Sequence, residues 1–383
     1  MNSALRRAEV AHLEDEAPQT LARRAAARGP SRRAMLGGLI AAPLVVACRP
    51  LLRPSRAPRV AVVGGGIAGL TCAYRLRQAG VRTTVYEASR RIGGRMFTAR
   101  GQLADGQVAE LGGELVDSDH ATIRGLADEL GLTLDDLTVD QAGLIADTFW
   151  FDGTLIAEAE VIARLVPLAP RLLADGRAAA GDDADARAAL DRIPLGTWLA
   201  DVFATDELLR RVFDIAYTIE FGLATAQQSS LNLLDMFDAS DLEPLRVFGD
   251  SDERYHFHDG NDALPTALAA QLPDQLAFEH RLTRVAPRGD GVALIFTTPS
   301  GEIEVTADRV VVAVPLPLWR TIDTQAVPMP PAQRTALAAM GMGTNAKLML
   351  QFAERVWRTR GASGGAFSDA PPLQSTWDTS RGQ

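Results

Sequence analysis

Gly64, Gly66 and Gly69 stand in the spacing G-x-G-x-x-G, and Glu87 follows after a helix-length and a strand-length of chain. Residues of these types could bind a dinucleotide. Gly64 permits a tight turn, Gly66 lets the backbone approach a pyrophosphate, and Gly69 lets a helix pack closely on a strand. The free N–H groups and positive dipole end of that helix favour phosphates. Glu87 stands where a carboxylate would accept from ribose hydroxyls. Arg91-Ile92-Gly93-Gly94-Arg95 comes next. Its glycine pair lets the main chain pass close to a flat ligand, and its arginines can offset diphosphate charge. Lys347 is the third candidate, the one lysine among 39 basic residues, in a composition where lysine is ordinarily common. Its compact, titratable ammonium could do work that a planar guanidinium cannot take over cleanly; the alternative is a leftover surface lysine on a half-exposed strand.

These residues need particular elements to position them. Val60 to Val63 is an unbroken apolar run that reads as a buried parallel strand, the glycine turn opens a helix, and Val81 to Tyr86 reads as a second strand ending at Glu87. Strand, turn, helix, strand and acid in register make the glycine motif specific. Lys347 lies in Thr344–Phe352, whose alternation predicts a strand with Ala346, Leu348, Leu350 and Phe352 on one face and Lys347, Met349 and Gln351 on the other.

Further runs follow in order: Glu110-Leu111-Gly112-Gly113-Glu114, Asp259-Gly260-Asn261-Asp262-Ala263-Leu264 and Arg309-Val310-Val311-Val312-Ala313-Val314-Pro315. With GGGIAGL, Glu87, RIGGR and Thr98, they resemble the flavin-containing amine oxidase family (monoamine, polyamine and L-amino acid oxidases) over roughly residues 58–383. The resemblance implies an α/β fold with a Rossmann-like FAD-binding domain and an inserted substrate domain of mixed sheet and helices. It implies FAD as cofactor and a small-molecule amine and oxygen as co-substrates. The reaction would be hydride transfer from the carbon bearing nitrogen, then imine hydrolysis and release of hydrogen peroxide. Cofactor contacts are implied at Gly64, Gly66, Ile67, Ala68, Gly69, Glu87, Ala88, Arg91, Gly94, Arg95, Gly112, Gly113, Glu114 and Val285. Lys347 would be catalytic, holding a water at flavin N5. An isoprenoid desaturase shares the first fingerprint; Lys347 and the Gly112-Gly113-Glu114 loop favour the amine oxidase.

The FAD-binding domain is expected at 58–118 and 254–314, with strands over Phe278–Val285 and Val292–Thr298, and the substrate domain at 119–253 and 315–383. The inserted region is mainly helical in pattern, with Phe149, Trp150, Phe151 and Trp198 expected in its core. In the family a C-terminal segment returns to the nucleotide domain, touches the flavin and adds an aromatic wall to the pocket. The present sequence ends within the substrate domain, which implies a weak hold on FAD, with an inactive remnant as the alternative to a working enzyme. The family's amino acid oxidases grip the substrate carboxylate with an arginine just after the Gly-Gly loop. Here no arginine precedes Arg124, and Glu114, Asp117 and Asp119 fill the loop. That favours an amine without a carboxylate, or else the loop is solvated surface.

Residues 1–48 read as an export signal rather than as part of the fold. Ser31-Arg32-Arg33-Ala34-Met35-Leu36 matches a twin-arginine motif, Met35–Ala47 is too short to span a bilayer, and Val45-Val46-Ala47-Cys48 resembles a lipoprotein cleavage site. An exported bacterial protein, periplasmic or surface-held through Cys48, is expected, an uncleaved anchor being the alternative. Residues 1–47 carry seven arginines against four acids, so the net charge of −9 leaves −12 on the remainder. An acidic body argues against nucleic acid and against electrostatic membrane binding. The other cysteine, Cys72, is expected buried in the helix; the five histidines have no metal spacing, and His256 and His258 read as structural.

Overall fold

The computed structural model describes residues 57–240 and 242–383; the expected signal at 1–48 lies outside them. The first element, β1 (Val60–Val63), leads through the glycine turn into α1 (Ile67–Gln78) and β2 (Thr83–Tyr86). Two short strands, β3 (Thr98–Ala99) and β4 (Ala109–Glu110), pair antiparallel and carry the chain to the Gly112-Gly113 loop. Then α2 (Ala121–Leu130), β5 (Leu134–Asp136), β6 (Ile145–Phe151) and β7 (Thr154–Ile156) lead into a helical run. That run is α3 (Glu158–Leu165), α4 (Ala169–Ala180), α5 (Ala184–Asp191), α6 (Leu195–Val202) and α7 (Glu207–Phe221). The return begins with β8 (Tyr255–Phe257), α8 (Ala263–Ala270) and β9 (Leu276–Ala277). Next come β10 (Arg281–Arg288), β11 (Gly291–Thr298), β12 (Gly301–Ala307) and β13 (Arg309–Val312), and finally β14 (Ala362–Ser368) and β15 (Ser375–Thr376).

Parallel pairing builds the central sheet in the order β13-β1-β2-β9. Strand periodicity sends Val62 and Val85 to one face, where Leu70, Ala73, Leu126, Leu264 and Leu268 from α1, α2 and α8 cover them. Ala61 and Val63 face the other way, onto Leu282, Val285, Leu294 and Phe296 of the antiparallel meander β10-β11-β12. Three layers bury the sheet on both faces, which is why β1 is apolar without alternation. A second core joins Phe149 and Phe151 of β6 and Phe367 of β14 to Trp198, Phe213 and Tyr217 of the helices. Each such buried side chain stabilises the fold by about 1.5–3 kcal/mol.

Several boundaries differ from expectation. Strand β2 starts at Thr83, because the Val81 N–H still donates to Leu76 O at the end of α1. Strand β10 starts at Arg281, since the Glu279 and His280 N–H groups tie back to Ser89 and Glu87 carbonyls. Trp150 is 42% exposed because it alternates with the core residues Phe149 and Phe151 along β6. Cys72 is half-buried. The strand expected over Thr344–Phe352 has no ladder among the described residues. Its alternation holds nonetheless: Lys347 and Gln351 turn toward residues 104–114, and Leu348, Leu350 and Phe352 are exposed. Pairing also crosses the expected domain boundary, since β5 pairs with β8.

Candidate active site

The glycine turn owes its shape to protein contacts at two positions and leaves space at the third. Gly64 has φ +109°, and a Cβ there would lie 2.5 Å from Ala313 O. A Cβ at Gly69 would lie 1.9 Å from Gly64 O. At Gly66, by contrast, a Cβ would find nothing nearer than Gly94 Cα at 4.0 Å. The cradle therefore admits a group against the backbone of Gly66, beside the first turn of α1. Ile67 and Ala68 begin that turn, with no side chain capping it, so its leading N–H groups have no intrahelical acceptor.

The arginine-glycine segment folds over this turn. Gly93 N–H donates to Gly65 O at 2.9 Å. Arg91 is engaged within its own loop, donating to Gly94 O at 2.8 Å with its guanidinium 4.4 Å from the Phe97 ring centroid. Arg95 is exposed and has no side-chain partner among the described residues. Glu87 is anchored at both oxygens, Oε2 accepting from Gly65 N–H at 2.7 Å and Oε1 from Ser89 N–H at 2.8 Å; Ala88 between them is exposed. Val285 shares a core cluster with Ala61 and Val63 of β1. It lies in the meander core, its N–H donating to Asp323 O.

The Gly112-Gly113-Glu114 loop is brought to the same end of the fold. A Cβ at Gly112 would sit 1.8 Å from Arg95 O, whereas one at Gly113 would meet nothing within 4 Å. Beneath the loop lies Glu110, 1% exposed. Its carboxylate accepts from Thr98 Oγ1, from Asn261 N–H at 2.8 Å and from His256 Nε2 at 3.1 Å. Burial alone would raise its pKa, but these hydrogen bonds outweigh burial and hold it below the usual carboxylate range. Asn261 Nδ2 in turn donates to Gly113 O and Glu114 O at 2.9 and 2.6 Å.

Lys347 closes the group. Its Nζ donates to Glu114 Oε2 at 2.8 Å, Gly112 O at 2.9 Å and Glu110 O at 3.3 Å. Trp377 completes it, donating from Nε1 to Glu114 Oε1 at 3.0 Å with its ring centroid 5.3 Å from the ammonium. Trp377 was not among the residues the sequence singled out, since nothing in its local pattern distinguishes it from a core tryptophan.

Carboxylates cluster nearby. Asp117, three residues from Glu114, accepts from Ser251 Oγ and from Glu253 N–H. Burial pushes Glu253 up to about 7, with Arg381 opposing the rise and Asp117, Glu220 and Asp147 adding to it. Burial likewise pushes Asp147 up to about 6 and raises Glu220. Of the three acids in the expected loop, Glu114 and Asp117 are thus engaged, while the Asp119 side chain is 81% exposed. Asp117, Asp119 and His120 approach one another, His120 Nδ1 accepting from Asp117 N–H.

A glycine turn opening a helix beside a parallel strand, with an acid at the end of the next strand, is the arrangement of a dinucleotide-binding α/β protein, here placed at the same end of the fold as the Lys347–Glu114 pair. The chain belongs to the flavin-containing amine oxidoreductases, whose family model matches residues 67–382. It is 29% identical over 350 residues to a protein of Mycobacterium tuberculosis named as the flavin-containing monoamine oxidase AofH, covering 87% of this chain and 73% of the relative. It is 28% identical over 335 residues to an L-amino-acid oxidase of Siganus canaliculatus, covering 82% of this chain and 60% of that one. Among solved structures, wild-type putrescine oxidase bound to putrescine superposes with TM-score 0.64 at 24% identity, covering 84% and 72% of the two chains. Cyclohexylamine oxidase from Brevibacterium oxydans gives 0.65 at 21%, covering 84% and 74%. The likeness in fold extends to the Rossmann-like α/β architecture, and the cofactor is FAD.

Proposed function

We propose that this oxidoreductase oxidises an amine lacking a carboxylate, and that the cradle at Gly66 and Gly113 receives FAD. Gly64, Gly66, Gly69 and the opening residues of α1, Ile67 and Ala68, would hold the diphosphate, with the unpaired Arg95 opposing its charge. Glu87, fixed at Gly65 and Ser89, keeps lone pairs for ribose hydroxyls. Bound FAD would supply the acceptor for a hydride from the carbon bearing nitrogen and pass the electrons to oxygen, leaving an imine for hydrolysis and hydrogen peroxide as co-product. Gly112, Gly113 and Glu114 would line the flavin, and Lys347 would hold a water there. Three acceptors occupy its three donors, and the contact with Glu110 O, at 3.3 Å the longest, is the one most readily exchanged for that water.

The observation that carries the amine reading is the state of Arg124, the first arginine after the loop. Its guanidinium donates to Ser118 O and lies 5.0 Å from the Tyr255 ring centroid, so it is already engaged. The carboxylates around Glu253 favour a cation. Peroxide release measured across aliphatic amines and L-amino acids should favour the amines by about tenfold or more in kcat/KM, the scale of one charged contact. A preference for an L-amino acid would reject the reading.

We also propose export directed by residues 1–48, and a division into 58–118 with 254–314 for FAD and 119–253 with 315–383 for substrate, in which α2 and β5 at the start of the second stretch pack on the first. Arg32→Lys with Arg33→Lys should hold the protein in the cytoplasm of an expressing bacterium. Unchanged fractionation would reject export by that route, and an N-terminus without lipid at Cys48 would reject the anchor alone.

A further inference from the structure

We infer that Glu114 is a positioning residue whose carboxylate fixes the Lys347 ammonium by accepting from Lys347 and Trp377 at the same time. The inference rests on the role proposed for Lys347. Glu114 side-chain exposure is 7%, against 25% for Lys347, so the carboxylate is the buried partner and the ammonium faces the open side. Both its oxygens are engaged, Oε2 by Lys347 Nζ at 2.8 Å and Oε1 by Trp377 Nε1 at 3.0 Å. A carboxylate gripped at both oxygens cannot turn about its last bond without breaking one contact. Its backbone is held too, Asn261 Nδ2 donating to the carbonyls of Gly113 and Glu114. Lys347 therefore meets an acceptor whose position is set independently of the ammonium.

Charge and acceptor count together make glutamate necessary here. Lys347 and Trp377 both present donors, and only an ionised carboxylate offers two acceptor oxygens in one plane. A glutamine has one oxygen, and its NH₂ would confront whichever donor remained. Glu114→Gln must then release either Lys347 or Trp377. The two carbonyls that also accept from Lys347, Gly112 O and Glu110 O, are neutral and make weaker hydrogen bonds than the carboxylate.

Because Lys347 is the one lysine of the chain, its freedom can be read without turnover. The full chain is acetylated with acetic anhydride, and Lys347 modification is followed by mass spectrometry against the N-terminal α-amine. Glu114→Gln should raise the Lys347 rate about tenfold, the factor set by one charge-assisted hydrogen bond. Adding Trp377→Phe should return it at least halfway, because the single amide oxygen then has one claimant. Trp377→Phe alone keeps the carboxylate's charge for Lys347 but frees its other oxygen to turn, and should raise the rate by less than Glu114→Gln does. A Glu114→Gln rate within about twofold of wild type, no return in the double variant, or a rise in Trp377→Phe alone as large as that in Glu114→Gln would each overturn the proposal. In turnover, Glu114→Gln should lower kcat without moving KM and should cost nothing further in a Lys347→Met background; additive losses would overturn positioning through Lys347. Failure of the acetylation arm leaves the proposed role of Lys347 intact. A Lys347→Met enzyme of wild-type rate rejects that role whatever acetylation reports.

Discussion

Replacing Lys347 with methionine should slow oxidation of a good amine substrate by about a hundredfold or more, within the range ascribed to a positioned proton-handling group, while FAD remains bound. Methionine matches the length of the side chain and removes every donor. The loss should fall on flavin reduction or reoxidation, resolved by stopped flow, and not on the visible spectrum of the resting protein. The substitution also strips Glu114 of its cation, so some stability is lost with it. Lys347→Arg separates the two effects. It restores a cation near Glu114 but presents a planar fork in place of an ammonium, and should recover melting temperature without recovering rate. Stopped-flow rates equal to wild type in Lys347→Met would reject the assignment.

Gly69→Ala and Gly66→Ala should behave in opposite ways, although both fall in one motif. A Cβ at Gly69 collides with Gly64 O at 1.9 Å and approaches Val62 Cγ1 at 3.3 Å, so α1 must lift from β1. Overpacking of this sort costs about 1–3 kcal/mol or more, and the melting temperature of the apoprotein should drop by several degrees along with FAD affinity. At Gly66 the added methyl meets no atom closer than 4.0 Å. The apoprotein should melt as wild type does, and FAD affinity alone should fall, by about a hundredfold, because the methyl occupies the approach of the pyrophosphate. Differential scanning fluorimetry with a flavin titration checks both. A Gly66→Ala protein that binds FAD normally would place the diphosphate elsewhere.

What the sequence made legible was local. The run from Val60 to Glu87 carries its turn, helix and strand in consecutive residues, so spacing alone specifies the register. The environment of Lys347 is nonlocal: Glu114 and Glu110 lie 233 and 237 residues away in sequence, and no periodicity links such positions. Alternation correctly set Lys347 and Gln351 apart from Leu348 and Leu350. It could not supply a strand partner, because period two reports an extended backbone and not a ladder. Trp150 departs from expectation for the opposite reason: three adjacent aromatics suggest one core, but a strand sends the middle one outward. Glu110 was visible as part of a motif, but its partnership with His256 needed β4 and β8 to meet in space.

The central sheet also sets a timetable for the cofactor site. Arg59 N–H donates to Asp308, 249 residues later in the chain, and the glycine turn packs on Ala313 O. During synthesis at about 5–20 residues per second, the turn leaves the ribosome roughly 10–50 s before the strand that completes its wall. Until β13 arrives, β1 lacks one of its two neighbours. Competence to take up FAD at the proposed cradle therefore waits for β13, and the nascent chain passes the whole stretch of elongation between β1 and β13 with that cradle incomplete.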